Sequence, residues 1–141
     1  MRRIKTIFIH CTATSQKATA RQILDSFKRR GWRFPGYHYI VEPDGKTVAA
    51  LSEELVSNGV QGHNRESINV AYIGGIDHRG LPADNRTVEQ KAALVHLLLQ
   101  LRERYPEARI MGHRDIWSTT DCTKWHKSCP AFNASREYAA I

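Results

Sequence analysis

Thr87-Val88-Glu89-Gln90 has the Thr-x-x-Gln form of a capping box, and the residues behind it keep helical spacing until about Tyr105, where Pro106 stops them. The pattern predicts an amphipathic helix with Val88, Ala92, Val95 and Leu99 on its buried stripe, widened by Leu94, Leu98 and Leu101. A helix with one apolar side needs a second layer to cover it, and the rest of the chain supplies strands.

Ile4 to His10 is rich in β-branched and aromatic residues and reads as a largely buried strand. Thr19-Ala20-Arg21-Gln22 is a second capping box, opening a helix from Ala20 to Arg30 with Ile23, Leu24 and Phe27 inward and Gly31 as its stop. Tyr37 to Glu42 and Lys46 to Ala50 flank Pro43-Asp44-Gly45 and form a β-hairpin by turn chemistry. Leu51 to Glu66 is irregular, Ser67 to Ile73 and Ala108 to Met111 are strands, and Ser135 to Ala140 is a short terminal helix. Strands alternating with helices, plus one hairpin, predict the α/β class: a single domain over residues 1–141 with a central mixed β-sheet flanked by helices.

At 141 residues the chain can bury one core without help from disulfides. Its 3 cysteines, Cys11, Cys122 and Cys129, cannot all pair within one chain, and none forms Cys-x-x-Cys, which argues against a disulfide framework. The formal charge of +7 favours a polyanionic partner: nucleic acid, an anionic cell surface or an anionic cell-wall polymer. No segment approaches transmembrane length, and Ile4 to Ile9 is broken by Lys5, too short for a signal core. Synthesis in the cytoplasm is expected, so an external substrate would have to be reached by another route.

His10, His113 and Cys129 stand where metal ligands are expected. His10 ends the first strand, His113 follows the apolar stretch 108–112, and Cys129 precedes Pro130. One soft and two borderline donors suit Zn2+, and three protein ligands leave a fourth position open, as in catalytic rather than structural zinc sites. Their spacing forms no local zinc motif; the signal is position, because strand ends and the loops beyond them converge along one edge of a sheet. Cys11 alternates to the opposite strand face from His10 and reads as a core thiol. The stretch before Cys129 also holds Asp121, Cys122, Trp125 and His126, which leaves Cys122 as a rival ligand.

Five blocks carry a resemblance: Ile7-Phe8-Ile9-His10-Cys11-Thr12-Ala13-Thr14, Gly36-Tyr37-His38-Tyr39-Ile40, Ser67-Ile68-Asn69-Val70 with Gly74-Gly75, Gly112-His113-Arg114-Asp115, and Lys127-Ser128-Cys129-Pro130-Ala131-Phe132. In this order the chain resembles the zinc N-acetylmuramoyl-L-alanine amidases of the phage T7 lysozyme type, relatives of the peptidoglycan recognition proteins. The resemblance implies that His10, His113 and Cys129 bind zinc and that Tyr37 and Lys127 are catalytic. Cys122 lacks both the following proline and the lysine two places before it, which favours Cys129. The implied reaction is hydrolysis, by zinc-activated water, of the amide between N-acetylmuramic acid and L-alanine in peptidoglycan. Lys127 would stabilise the oxyanion and the Tyr37 hydroxyl would hold the water or the tetrahedral intermediate. Family members often carry a further histidine before the Ser-Ile block, where Asn58 and Gly59 stand here.

Other residues have plainer readings. His38 is expected to be structural, His63, His78, His96 and His126 to lie on the surface, and Trp32, Trp117 and Trp125 to pack at the core or rim. Arg114 and Asp115 are candidates for orienting His113. The resemblance implies a peptidoglycan or muropeptide substrate, a monomer, and a phage or prophage lysis enzyme released by a holin-type partner. Two alternatives from other classes stay open at this point. One is a peptidoglycan-binding module that does not cut, and the other is a regulator with a polymerase partner, suggested by the charge and by the polymerase-inhibiting role of the family's type member.

Overall fold

The computed structural model describes residues 2–118, 122–125 and 127–141. Five strands, β1 (Thr6–Cys11), β2 (Tyr39–Val41), β3 (Thr47–Ala49), β4 (Ser67–Tyr72) and β5 (Arg109–Gly112), form one mixed sheet in the order β3-β2-β4-β1-β5. The pairs β2·β4, β4·β1 and β1·β5 are parallel, and the hairpin adds β3 antiparallel at the edge. The helices are α1 (Ala20–Arg29), α2 (Val88–Arg104) and α3 (Ala134–Glu137). The expected α/β architecture is thus present, with element ends shifted by a residue or two and α3 shorter than the predicted 135–140.

Alternation along β1 divides the interior. Ile7, Ile9 and Cys11 join Val70, Tyr72, the leucines of α2 and Ala134 of α3 in the larger core, while α1 packs Ala20, Ile23 and Phe27 against Ile40 and Ile73 in a smaller one. Phe8 and His10 project to the face opposite Ile7 and Ile9. Both predicted capping boxes form, at Thr19 with Gln22 and at Thr87 with Gln90.

The buried stripe of α2 differs from expectation. Leu94, Leu97, Leu98 and Leu101 are buried, whereas Val88 is 80% and Leu99 51% exposed, and Ala92 and Val95 also face out. Two apolar stripes compete on this helix, and the one that turns inward carries four leucines, the larger apolar surface, with Gln90 on the same face. Its side-chain oxygen accepts from the Thr87 N–H within the cap, while its amide nitrogen donates to the carbonyls of Val41 and Ile73 at 3.1 and 3.0 Å. Docking the cap on two carbonyls of the sheet side satisfies the buried Gln90 amide in the same rotation that buries the leucines three or four places apart.

The chain end is held by Arg86, whose buried guanidinium pairs with Asp84 and Glu137 and lies 3.4 Å from the centre of the Phe132 ring. Arg2 anchors the irregular 51–66 segment by donating to the carbonyls of Glu53, Leu55, Asn64 and Arg65, and ties it to β4 through that of Ser67. Among the described residues, no helix is long and apolar enough to cross a membrane.

Candidate active site

His10 is the next-to-last residue of β1, and His113 follows the last residue of β5, the parallel neighbour on one side. Both imidazoles therefore leave the sheet at the same edge, with ring centres 5.0 Å apart. Cys129 is brought to them by the returning chain: its carbonyl accepts from the Arg114 N–H at 2.8 Å, and the next carbonyl, of Pro130, accepts from the Tyr72 hydroxyl at 2.7 Å. Gly112 makes the approach possible, because a Cβ there would lie 2.6 Å from the Pro130 ring. The glycine of Gly-His and the proline of Cys-Pro are thus two sides of one contact.

One donor atom from each of His10, His113 and Cys129 lies within 4.8 Å of the others, the one group of this kind among the described residues. The His10 Nδ1 to Cys129 Sγ distance is 3.7 Å. A tetrahedral zinc with ordinary Zn–S and Zn–N bonds holds its sulfur and nitrogen about 3.6 Å apart, so the donor set and its spacing fit the metal. Burial, with the nearby His113 and Lys127, lowers the His10 pKa to about 3; burial, with Lys127 and His63, lowers that of His113 to about 4. Both rings are neutral at pH 7 and present lone pairs. Burial pushes the Cys129 thiol up, while the Cys11 backbone N–H donates to its sulfur at 3.2 Å.

Tyr37 packs its ring 5.2 Å from that of His10 and donates its hydroxyl to the Cys11 carbonyl at 3.4 Å. Burial raises its pKa, so the phenol stays protonated. Lys127 is exposed at the rim. Both line, with His10, His113 and Cys129, a cleft of about 590 Å³ walled by α1 through Phe27 and Arg29 and by Arg30 just past its end. A second hollow of about 700 Å³ shares Arg30, Trp32, Asn58, Gly59, His113 and Lys127 with it.

The remaining candidates stand outside the three-donor group. Cys122 is exposed in a short 3-10 turn outside the donor group, and Cys11 is a buried free thiol of the large core. Asp121 and His126 lie outside the described residues. His38 is fully buried, accepting from the Asn69 N–H at Nδ1 and donating from Nε2 to the Leu55 carbonyl. His63, His78 and His96 are exposed. Among the described residues, Asp115 accepts from the Gly112 N–H and the Ser135 hydroxyl, which shapes the turn carrying His113 rather than holding its ring. Arg114 lies over Trp125, Trp117 stacks on His113, and Trp32 stacks on Phe27. The place where the resemblance put a further histidine holds Asn58, bonded to the Phe34 carbonyl, and Gly59.

One residue of the site carries little signal in the sequence. Asn69, fully buried on β4, has its side-chain oxygen 2.7 Å from His10 Nε2. A polar residue inside the run Ser67 to Ile73 was the available signal, since a buried amide needs partners.

Comparisons with known proteins place the chain in a family and give its fold. The profile of the N-acetylmuramoyl-L-alanine amidases matches residues 1–131. The endolysin of Enterobacteria phage K11 is 37% identical over 131 residues, covering 92% of this chain and 82% of the relative. The endolysin of Escherichia phage T7 is 36% identical over 132 residues with the same coverage. Among solved structures, the Ph2119 endolysin from a Thermus scotoductus bacteriophage superimposes with a TM-score of 0.78 at 26% identity, over 99% of this chain and 85% of that one. Drosophila PGRP-LB, at 17% identity and a TM-score of 0.74 over 100% of this chain and 81% of its own, shares the fold.

Proposed function

The chain belongs to the N-acetylmuramoyl-L-alanine amidase family, and from that premise we propose that it hydrolyses the bond between N-acetylmuramic acid and L-alanine of peptidoglycan with a zinc ion held by His10, His113 and Cys129. The observation that carries this reading is the convergence of three donor atoms within 4.8 Å in the cleft that also contains Tyr37 and Lys127. When bound, zinc supplies Lewis acidity, lowering the pKa of water toward about 7 and polarising a carbonyl.

The side chains around the metal ligands do the rest. Water adds to the lactyl carbonyl carbon, negative charge grows on the carbonyl oxygen, and the C–N bond breaks as the alanine nitrogen takes up the proton that the water gives up. Lys127, a cation at the mouth of the cleft, stabilises the growing charge. Tyr37, held protonated by burial, donates a hydrogen bond to the tetrahedral intermediate or holds the attacking water. Arg29 and Arg30 add positive charge along the α1 wall, which suits a stem peptide bearing carboxylates. The phage endolysins among its relatives support action on the cell wall after release from the cell that makes it.

The test is metal depletion. Purified protein should release soluble peptide from peptidoglycan, lose that activity after dialysis against a strong chelator, and regain it with one equivalent of zinc. Undiminished release by protein shown to be free of metal contradicts the zinc assignment; binding to the wall without release contradicts the catalytic one.

A further inference from the structure

We infer that Asn69 is the positioning residue of His10, and that glycine at position 59 is what admits it. The register of β1 and β4 pairs Phe8 with Asn69, and since alternate residues share a face, Asn69 lies on the same side of the sheet as His10, one step behind it. Its side-chain oxygen meets His10 Nε2 at 2.7 Å. Its amide nitrogen donates to the Ser57 hydroxyl at 2.7 Å and, more weakly, to that of Ser67 at 3.5 Å. Ser67 spends its own proton on the Asn64 carbonyl, so it can only accept from the amide.

That arrangement fixes which end of the amide faces the histidine. With the nitrogen committed to hydroxyls, the oxygen is left for His10, whose Nε2 must carry the proton. The lone pair of the neutral ring then lies on Nδ1, the nitrogen 3.7 Å from Cys129 Sγ and facing the donor group. Asn69 therefore selects both the tautomer and the tilt of the ring, work that metal-bound histidines usually assign to a carboxylate or a carbonyl.

The space for this amide comes from Gly59. A Cβ at position 59 would sit 2.3 Å from both Cγ and Oδ1 of Asn69 and 2.7 Å from Nδ2, distances no real Cβ adopts. A side chain at 59 and the amide at 69 exclude one another. The backbone of Asn69 is pinned as well, its N–H donating to His38 Nδ1 at 3.1 Å and its carbonyl accepting from the His38 N–H at 2.8 Å, so the side chain cannot yield by a shift of the strand.

The inference rests on His10 being a metal ligand, and the experiment separates the two claims. Zinc affinity is measured by competition with a chromophoric chelator for the native protein, Asn69→Leu, Asn69→Asp and Gly59→Ala. Asn69→Leu and Gly59→Ala should each weaken binding by about 10- to 100-fold, and Asn69→Asp, which keeps an acceptor toward His10, should stay near native affinity. Native uptake of zinc with an unchanged affinity in Asn69→Leu overturns the role of Asn69 alone; no uptake by the native protein overturns the metal reading and this one with it. A long-range proton–nitrogen spectrum of the metal-free native protein gives an answer independent of any variant's folding. It should show His10 protonated on Nε2, and protonation on Nδ1 overturns the inference.

Discussion

His10 and His113 are buried imidazoles held neutral, and that state has a consequence for stability. Their pKa values fall from the ordinary 6.5 to about 3 and about 4, and burial lowers His38 in the same direction. Below pH 6.5 the unfolded chain binds protons that the folded chain refuses, so stability is fully present above that pH and is lost as pH falls toward the folded values. Asp84 and Glu137, held low by hydrogen bonds to Arg86, add their loss only in the more acidic carboxylate range. The melting temperature of the metal-free protein should therefore begin to fall near pH 6.5, before carboxylates titrate. A flat profile from pH 6.5 to 4.5 would show that these rings are not buried neutral. The trio was legible in the sequence because strand-end histidines and a Cys-Pro step stand out against apolar runs. Asn69 was not: its significance depends on the β1·β4 register and on the space left at Gly59, both of which are properties of the assembled sheet.

At the scale of elements, α2 shows how far periodicity reaches. Spacing predicted a helix from the Thr87 cap to about Tyr105, and the helix runs Val88–Arg104. Spacing could not choose between two apolar stripes, since both repeat at helical intervals. The docked face is the one with Leu94, Leu97, Leu98 and Leu101, which buries more apolar surface than Val88, Ala92, Val95 and Leu99 would. Gln90 on the same face has amide bonds to Val41 and Ile73 that exist only once the helix is docked. Leu98 and Leu99 provide the test. Leu98→Ala, at a fully buried position, should cost about 2–5 kcal/mol in urea unfolding, whereas Leu99→Ala, half exposed, should change stability by only about 0.5 kcal/mol. Equal costs would mean that the helix presents a different face to the sheet.

Across the whole molecule, the sheet acts as the frame that turns distant residues into neighbours. His10 and His113 are adjacent because β1 and β5 are parallel partners, and Cys129 joins them because Gly112 leaves room for Pro130. The α1 wall and the 51–66 segment then close a cleft over one face, while α2 and α3 fill the other with apolar core. Topology of this kind was legible as a class, from strands alternating with capped helices; the distances within the cleft were not, because they depend on loops whose conformation no periodicity records. The most direct measurement of the central claim is mass spectrometry of peptidoglycan digested by the native protein and by Cys129→Ala. The expected result is glycan whose muramic acid residues carry free lactyl carboxylates and peptides with a free L-alanine amino terminus, abundant with the native protein and absent with the variant. A cut at any other bond, or equal yields from both proteins, would contradict it.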